Sequence, residues 1–398
     1  MEFGIVMNKL ILTTSSLLFI PSMTFASALD RSGQSVSEIW KDGTYAEISY
    51  NITRPEVQGK DKGLGTAGVP NETSNLAENS SSLRWAVKSD INEKFSIGII
   101  YDQPFSINIQ HHGKSDFNST LADGSTEGTK AQFDSHNFTS LIGWNLNPKI
   151  MLFAGPSLQE IEGEVKLRGQ VYKSTANYNA SLKSDKAVGW VAGAVFKKSE
   201  IGLRTALTYR SEINHKTHTT EAFTGISSEK YFNPVTFTTP ESFNFDFQTG
   251  LSKSTLLNLN VRWVPWSDFA FKPYKLYQRS AANSPTKKGV PLLSYEEDQW
   301  SAQLGLSHKL NPKWAISTSV SWDSGLGDPA NALGPVNGYW GTGIGVQYNL
   351  SKEAAVALGG KYLWLGDAQA KRSNGDIIGE FSDNNNIGFG LKLSYQHK

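Results

Sequence analysis

The chain has no cysteine among its 398 residues. That excludes a disulfide framework, a thiolate metal site and a cysteine nucleophile. It has almost no net charge, with 38 Lys and Arg against 37 Asp and Glu. A chain so balanced offers no basic field to nucleic acid and no acidic tail. After the N-terminus it also lacks any apolar run of the roughly 20 residues that a membrane-crossing helix needs. Mean hydropathy is negative. What it has instead is glycine, at 36 residues, and aromatics, with 20 Phe, 14 Tyr and 11 Trp. Rich in aromatics and glycine yet polar on average is the balance of a barrel with lipid outside and water inside.

The N-terminus reads as an address. Lys9 gives a positive start, Leu10 to Ile20 an apolar stretch, and Pro21 and Ser22 break it. Small residues at Ala26 and Ala28 suit cleavage. This predicts a secretory signal peptide over residues 1–26, with cleavage after residue 26 or 28. Its apolar stretch is too short to span a bilayer. Glu2 precedes the pattern awkwardly, so Met7 is the expected natural start.

The remainder alternates with period two, as half-buried strands do. In Trp314 to Trp322, the residues Trp314, Ile316, Val320 and Trp322 share one face and Ala315, Ser317, Ser319 and Ser321 the other. Phe243, Phe245 and Phe247 oppose Asn244, Asp246 and Gln248. Leu257, Leu259, Val261 and Trp263 oppose Asn258, Asn260 and Arg262, and Ile387 to Tyr395 repeats the pattern. A soluble sandwich would alternate too, so the loops decide. Short turns near Asn92, Pro148, Lys198, Lys253, Pro312 and Lys352 alternate with long polar stretches near 58–81, 111–130, 162–186, 210–240, 265–298, 323–338 and 367–385. Barrels of the outer membrane sort their connections this way. Six short turns and seven long loops imply about fourteen antiparallel strands, closed because lipid tolerates no open edge. The fold class is therefore all-β, a transmembrane barrel over residues 44–398, with both termini in the periplasm. Residues 27–43 precede the first strand and are long enough to form a short lumenal plug led by Leu29, Asp30, Arg31, Ser32, Gly33 and Gln34.

No catalytic set stands out. His111, His112, His215 and His218 lie in expected outer loops, with no zinc spacing, and read as solvated. Gly341 to Gly345 is glycine-rich but lies within a strand pattern, so it is no nucleotide loop. No cofactor is expected. The lumen-facing register carries Glu47, Arg84, Arg204, Asp246, Arg262, Lys361 and Lys392. Most would simply line a wet interior, while Arg84, Arg204, Arg262 and Lys361 are candidates to bind a ligand's anionic head group. One strand breaks its own pattern at Tyr101, Asp102, Gln103, Pro104 and Phe105. Proline cannot donate to a ladder, so a kink and a side opening are expected there. Tyr231, Phe232, Phe269 to Tyr277 and Pro291 to Leu293 are greasy for outer loops, which suggests contact with an apolar ligand, or loop-on-loop packing.

Three blocks, Ala206 to Lys216, Thr239 to Leu251 and Val261 to Phe269, together with Tyr101 to Phe105, Tyr362 to Ala368 and Ile387 to Tyr395, resemble the FadL/TodX family of outer-membrane transporters for long-chain fatty acids and hydrocarbons. They run in order over most of the mature chain. The resemblance implies a fourteen-stranded barrel with an N-terminal plug. It also implies passive uptake: capture of a long-chain fatty acid or other hydrophobic ligand at an outer groove, passage to the lumen, and sideways exit into outer-membrane lipid beneath the lipopolysaccharide. Here the plug is shorter and lacks an Asn-Pro-Ala motif, and the chain ends Tyr395-Gln-His-Lys398 where an aromatic usually stands last. A monomer is expected. The competing readings are a general diffusion porin for polar solutes and an outer-membrane lipid hydrolase.

Overall fold

The computed structural model describes residues 29–398 apart from 122, 224–228, 283, 285 and 373. The expected signal peptide lies outside the described residues. Fourteen antiparallel strands close into one barrel. They are β1 (Thr44–Glu56), β2 (Ser80–Asp90), β3 in two pieces (Phe95–Asp102 and Ser106–Gln110), β4 (Lys130–Asn147), β5 (Ile150–Leu167) and β6 (Tyr178–Lys198). Next come β7 in two pieces (Leu203–Arg210 and Ile213–Phe223) and β8 in two pieces (Lys230–Thr239 and Ser242–Gly250). The rest are β9 (Thr255–Val264), β10 (Gln299–Lys309), β11 (Trp314–Asp323), β12 (Tyr339–Asn349), β13 (Ala354–Leu365) and β14 (Asn385–His397). β14 closes on β1 from Thr44↔His397 to Glu56↔Asn385, which leaves no edge. Both ends of the barrel sequence thus lie on the side of the short turns.

The alternation has the physical meaning expected of it. Trp314, Ile316, Val320 and Trp322 are exposed while Ala315, Ser319 and Ser321 are buried. The same holds for Ile387, Phe389, Leu391, Leu393 and Tyr395 on β14. In lipid an apolar outer face needs no protein partner. Near the outer ends of the strands Trp190, Tyr209, Phe243, Trp263 and Trp300 form a ladder of ring contacts at 4.9–6.3 Å across β6 to β10. Such girdles sit at the membrane–water boundary.

Two expected loops are mostly strand. β5 and β6 pair as far as Leu167↔Tyr178, and β7 and β8 pair as far as Ala222↔Lys230. Stretches 162–186 and 210–240 therefore form hairpins that project beyond the apolar band. Their outward residues are polar and read as loop, but the inward face is buried, with Val165, Leu167, Tyr178, Leu182, Val235 and Phe237, and the backbone still completes its ladder. The histidine reading is also corrected. His215 is buried on β7, bonded to Asp185 and Gln159 at 2.9 Å, and stacked on Phe237. His111 is buried against Phe117 with ring centroids 4.2 Å apart, and burial first, then His112, pushes its pKa down to about 3.

The greasy outer loops mainly pack on one another. Phe269, Phe271, Leu292 and Leu293 join a buried cap with Phe133, Phe237 and Trp266. A short helix α1 (Tyr274–Ala282) is fixed there by Glu221, whose carboxylate accepts the N–H groups of Lys275 (3.0 Å) and Leu276 (2.9 Å) and the Tyr178 hydroxyl (2.9 Å). A carboxylate at a helix N-terminus meets unpaired donors and the positive end of the dipole. Asp61 does similar work in the loop after β1. It accepts from the main chain of Gly63, Asn71 and Asp116, and Asp116 in turn accepts from Gly65. Burial alone would raise the Asp61 pKa, but the bonds from Asn71, Asp116 and Gly63 outweigh it and hold it below its ordinary value. A depressed folded pKa gives stability that is present above the unfolded value, about 3.9, and lost as pH falls through the folded one. Asp61→Asn is therefore expected to raise proteolysis of loop 57–79 at pH 7, and wild type to show the same sensitivity only when acidified below about pH 4. Limited proteolysis across pH checks both.

Candidate functional site: a break in the barrel wall and a pocket at its rim

β2 and β3 pair only between Trp85↔Tyr101 and Asp90↔Ser96. Beyond Asp102, β3 leaves the ladder through Gln103, Pro104 and Phe105, then resumes at Ser106 paired with β4 alone. Pro104 has no N–H to offer. Ser80 to Arg84 of β2 still pair with β1, but among the described residues they have no ladder partner on β3. Only the Gln103 side chain reaches across, its amide oxygen accepting the Leu83 N–H at 2.8 Å. Main-chain contact resumes above the break at Ala77↔Ile109. The break holds a cavity of about 70 Å³ lined by Ser80, Ser82, Leu83, Asp102 and Gln103 among others. The sequence reading put a kink and a side opening at Tyr101 to Phe105 on the strength of Pro104, and the β2–β3 ladder is interrupted there.

The N-terminal segment lies against this break from the lumen. Arg31 N–H donates to the Pro104 carbonyl at 2.5 Å, Ser106 N–H donates to the Leu29 carbonyl at 2.9 Å, and Asp30 bridges Phe105. Ser32 Oγ donates to Asp102 at 2.8 Å. Further along, Val36, Ile39 and Trp40 pack on Ala86, Ile100, Leu141, Met151, Phe153 and Val191. This explains why the inner faces of β2 to β6 carry apolar residues inside a wet barrel. Burial of a side chain the size of Ile39 is worth about 1.5–3 kcal/mol. Gly98 belongs to the same fit, since a Cβ there would stand 3.1 Å from Ile39 Cδ1.

Three of the four candidate head-group cations hold this segment. Arg262 Nε and Nη2 meet Asp30 Oδ2 at 2.8 and 2.7 Å, and Nη2 also donates to Gln34 at 2.9 Å. Arg84 donates to Glu38 at 2.8 Å and to the Ser35 carbonyl at 3.0 Å, and it pairs with Glu47 as well. Arg204 stands 3.4 Å from Asp42 near the short-turn end. Lys361 lies apart on β13, buried and bonded to Gln303 at 2.5 Å. Of the other lumenal charges, Lys392 lies 3.7 Å from Glu47, and Asp246 accepts from Asn260 at 2.9 Å.

A larger pocket of about 490 Å³ opens among the outer loops, where four of them converge. Its walls include Leu167, Tyr172, Leu276, Pro291, Leu292 and Leu333, and its rim carries Lys173, Lys371 and Arg372. Arg372 pairs with Asp376, yet its Nε is buried with no hydrogen-bond partner. Buried donors without partners carry a cost of about 1–3 kcal/mol that an incoming acceptor removes. The sequence reading missed this site. Its signals were Leu276, within Phe269 to Tyr277, and Pro291 to Leu293, apolar residues in an outer loop.

The sequence from residue 39 to 397 matches the family described as outer membrane protein transport protein (OMPP1/FadL/TodX). Among curated proteins none matches the chain. Among solved structures, a Pseudomonas aeruginosa FadL homologue superposes with TM-score 0.69 at 14% identity, over 90% of this chain and 91% of that one. The Pseudomonas putida toluene transporter TodX gives 0.63 at 11% identity, over 95% and 97%. The Ralstonia pickettii toluene transporter TbuX gives 0.58 at 11%, over 95% and 93%. At such identities these likenesses speak for the fold, while the family match spans nearly the whole barrel. The chain belongs to the OMPP1/FadL/TodX family of outer-membrane transport proteins.

Proposed function

We propose that the protein takes up long-chain fatty acids, or hydrophobic anions of like shape, across the outer membrane without an energy source. The ligand is caught in the rim pocket, passes down the lumen to the N-terminal segment, and leaves sideways through the break between β2 and β3. The N-terminal segment acts as the plug. The observation that carries this reading is the interruption of the wall at Pro104, backed from inside by Leu29 to Arg31. An apolar chain released into the periplasm would face the full cost of hydration, whereas sideways exit delivers it into lipid. Two of the solved relatives are toluene transporters. The ligand inferred here differs because the rim pocket pairs an apolar wall with three cations, Arg372, Lys371 and Lys173, that share only two carboxylates, Asp376 and Glu296. A neutral aromatic has no use for that charge, and a carboxylate does. A polar-solute porin is disfavoured by a lumen crossed from Arg262 to Pro104 by ordered chain. For a lipid hydrolase, the buried His215–Asp185 pair turns its other ring nitrogen to Gln159 and no nucleophile.

Replacing Pro104 by Val supplies the missing N–H and a side chain that favours strands. Pro104→Val is expected to slow uptake of labelled oleate while the barrel folds and inserts as wild type does. Uptake at the wild-type rate by a correctly inserted variant would remove the sideways exit.

A further inference from the structure

We propose that Asp30 is a built-in stand-in for the ligand's carboxylate, and that an incoming carboxylate releases the plug by taking its place on Arg262. The inference rests on the uptake reading and adds the group that couples ligand to plug. The guanidinium of Arg262 is divided between two owners. Nη1 is held by the wall, through Ser242 Oγ at 2.9 Å and Asn244 Oδ1 at 2.5 Å. The edge formed by Nε and Nη2 is held by the plug, through Asp30 and Gln34. That edge is the one a free carboxylate binds side-on. Removal of the plug thus leaves an oriented guanidinium edge with its wall contacts intact.

The position of Asp30 gives the exchange a consequence. Asp30 itself bridges Phe105, and its neighbours Arg31 and Leu29 bond to Pro104 and Ser106 on either side of it. The residue that holds Arg262 on β9 therefore also holds the segment seated behind the break in β3. Both side chains are almost fully buried, and a buried ion pair that loses one partner leaves the other charge uncompensated. The plug cannot simply drift off Arg262. A substitute anion has to arrive, which makes release depend on ligand and favours carboxylates over neutral hydrocarbons of the same length. The Asn244 side chain also donates to the Gly33 carbonyl at 2.8 Å, so the wall grips the same turn from a second point.

The absence of native cysteine provides the probe. A Ser35→Cys barrel is purified in detergent, and its rate of maleimide modification is read alone, with oleate, and with oleyl alcohol. The exchange predicts that oleate accelerates modification several-fold and that oleyl alcohol leaves it at the basal rate. Adding Asp30→Asn should raise the ligand-free rate to the oleate level. Oleate that binds without changing the rate, equal acceleration by the alcohol, or a basal ligand-free rate in the Asp30→Asn barrel overturns the exchange alone. A folded wild-type barrel that binds no oleate overturns the uptake reading, and the exchange falls with it.

Discussion

Cysteines placed at Leu83 and Gln103 and oxidised to a disulfide are expected to stop oleate uptake, and reduction to restore it. Trp85 is the last β2 residue opposite β3, across from Tyr101, so the same register continued would set Leu83 against Gln103. The two already touch through one hydrogen bond from main chain to side chain, at 2.8 Å. A disulfide requires Cα atoms about 4.4–6.8 Å apart, close to the spacing of a paired ladder. Forming it would therefore sew β2 to β3 at the point where the wall parts. No other thiol exists in the chain to confuse the result. A ligand held in the lumen would then have no way into lipid, because an intact wall presents a closed backbone ladder lined by side chains. Binding at the outer rim should persist in the oxidised form, which separates capture from exit. Unchanged uptake in the oxidised barrel would mean that the ligand travels down the axis.

The second large effect is expected at the rim. Arg372→Ala should weaken oleate binding by roughly 10- to 100-fold, since hydrogen bonds to charged groups contribute about 1.5–3 kcal/mol and 1.4 kcal/mol is tenfold. A neutral hydrocarbon of similar length should bind as before, because the apolar wall of Leu276, Leu292 and Leu333 is untouched. Burial depresses the Arg372 pKa, with Tyr172 opposing, and beside its pair with Asp376 the buried Nε is open to a second acceptor. Equal loss for both ligands would assign Arg372 to loop packing. Isothermal titration with the two ligands distinguishes these outcomes.

The strands were legible because lipid simplifies the rule that places side chains. An outward Trp314 or Phe389 needs only to be apolar, with no partner elsewhere in the chain, so period two survives into the sequence uncorrupted. Pro104 was legible for a similar reason, because a residue without an N–H must interrupt a ladder wherever it falls. The upper halves of β5 to β8 were not, because above the membrane the outward face turns polar and the apolar parity switches to the buried face, as in Ile161, Val165 and Leu167 against Glu162, Glu164 and Lys166, while the pairing continues. Arg84, Arg204 and Arg262 could be placed in the lumen by parity. Their partners Glu38, Asp42 and Asp30 could not, because the path of the N-terminal segment inside the barrel leaves no periodic trace. His111 and His215 were misread for want of the same information, since burial by a distant loop or strand has no local signature. The rim pocket is the extreme case, with Tyr172, Leu276, Leu333 and Arg372 drawn from four loops far apart in the chain.

The most direct test of hydrophobic anion uptake is equilibrium binding of oleate to the purified, folded barrel in detergent, with a polar sugar as comparator. Saturable binding of oleate, with none of the sugar, is the predicted result. A folded barrel that binds no oleate, or that passes the sugar as a steady open pore in a planar bilayer, would contradict it.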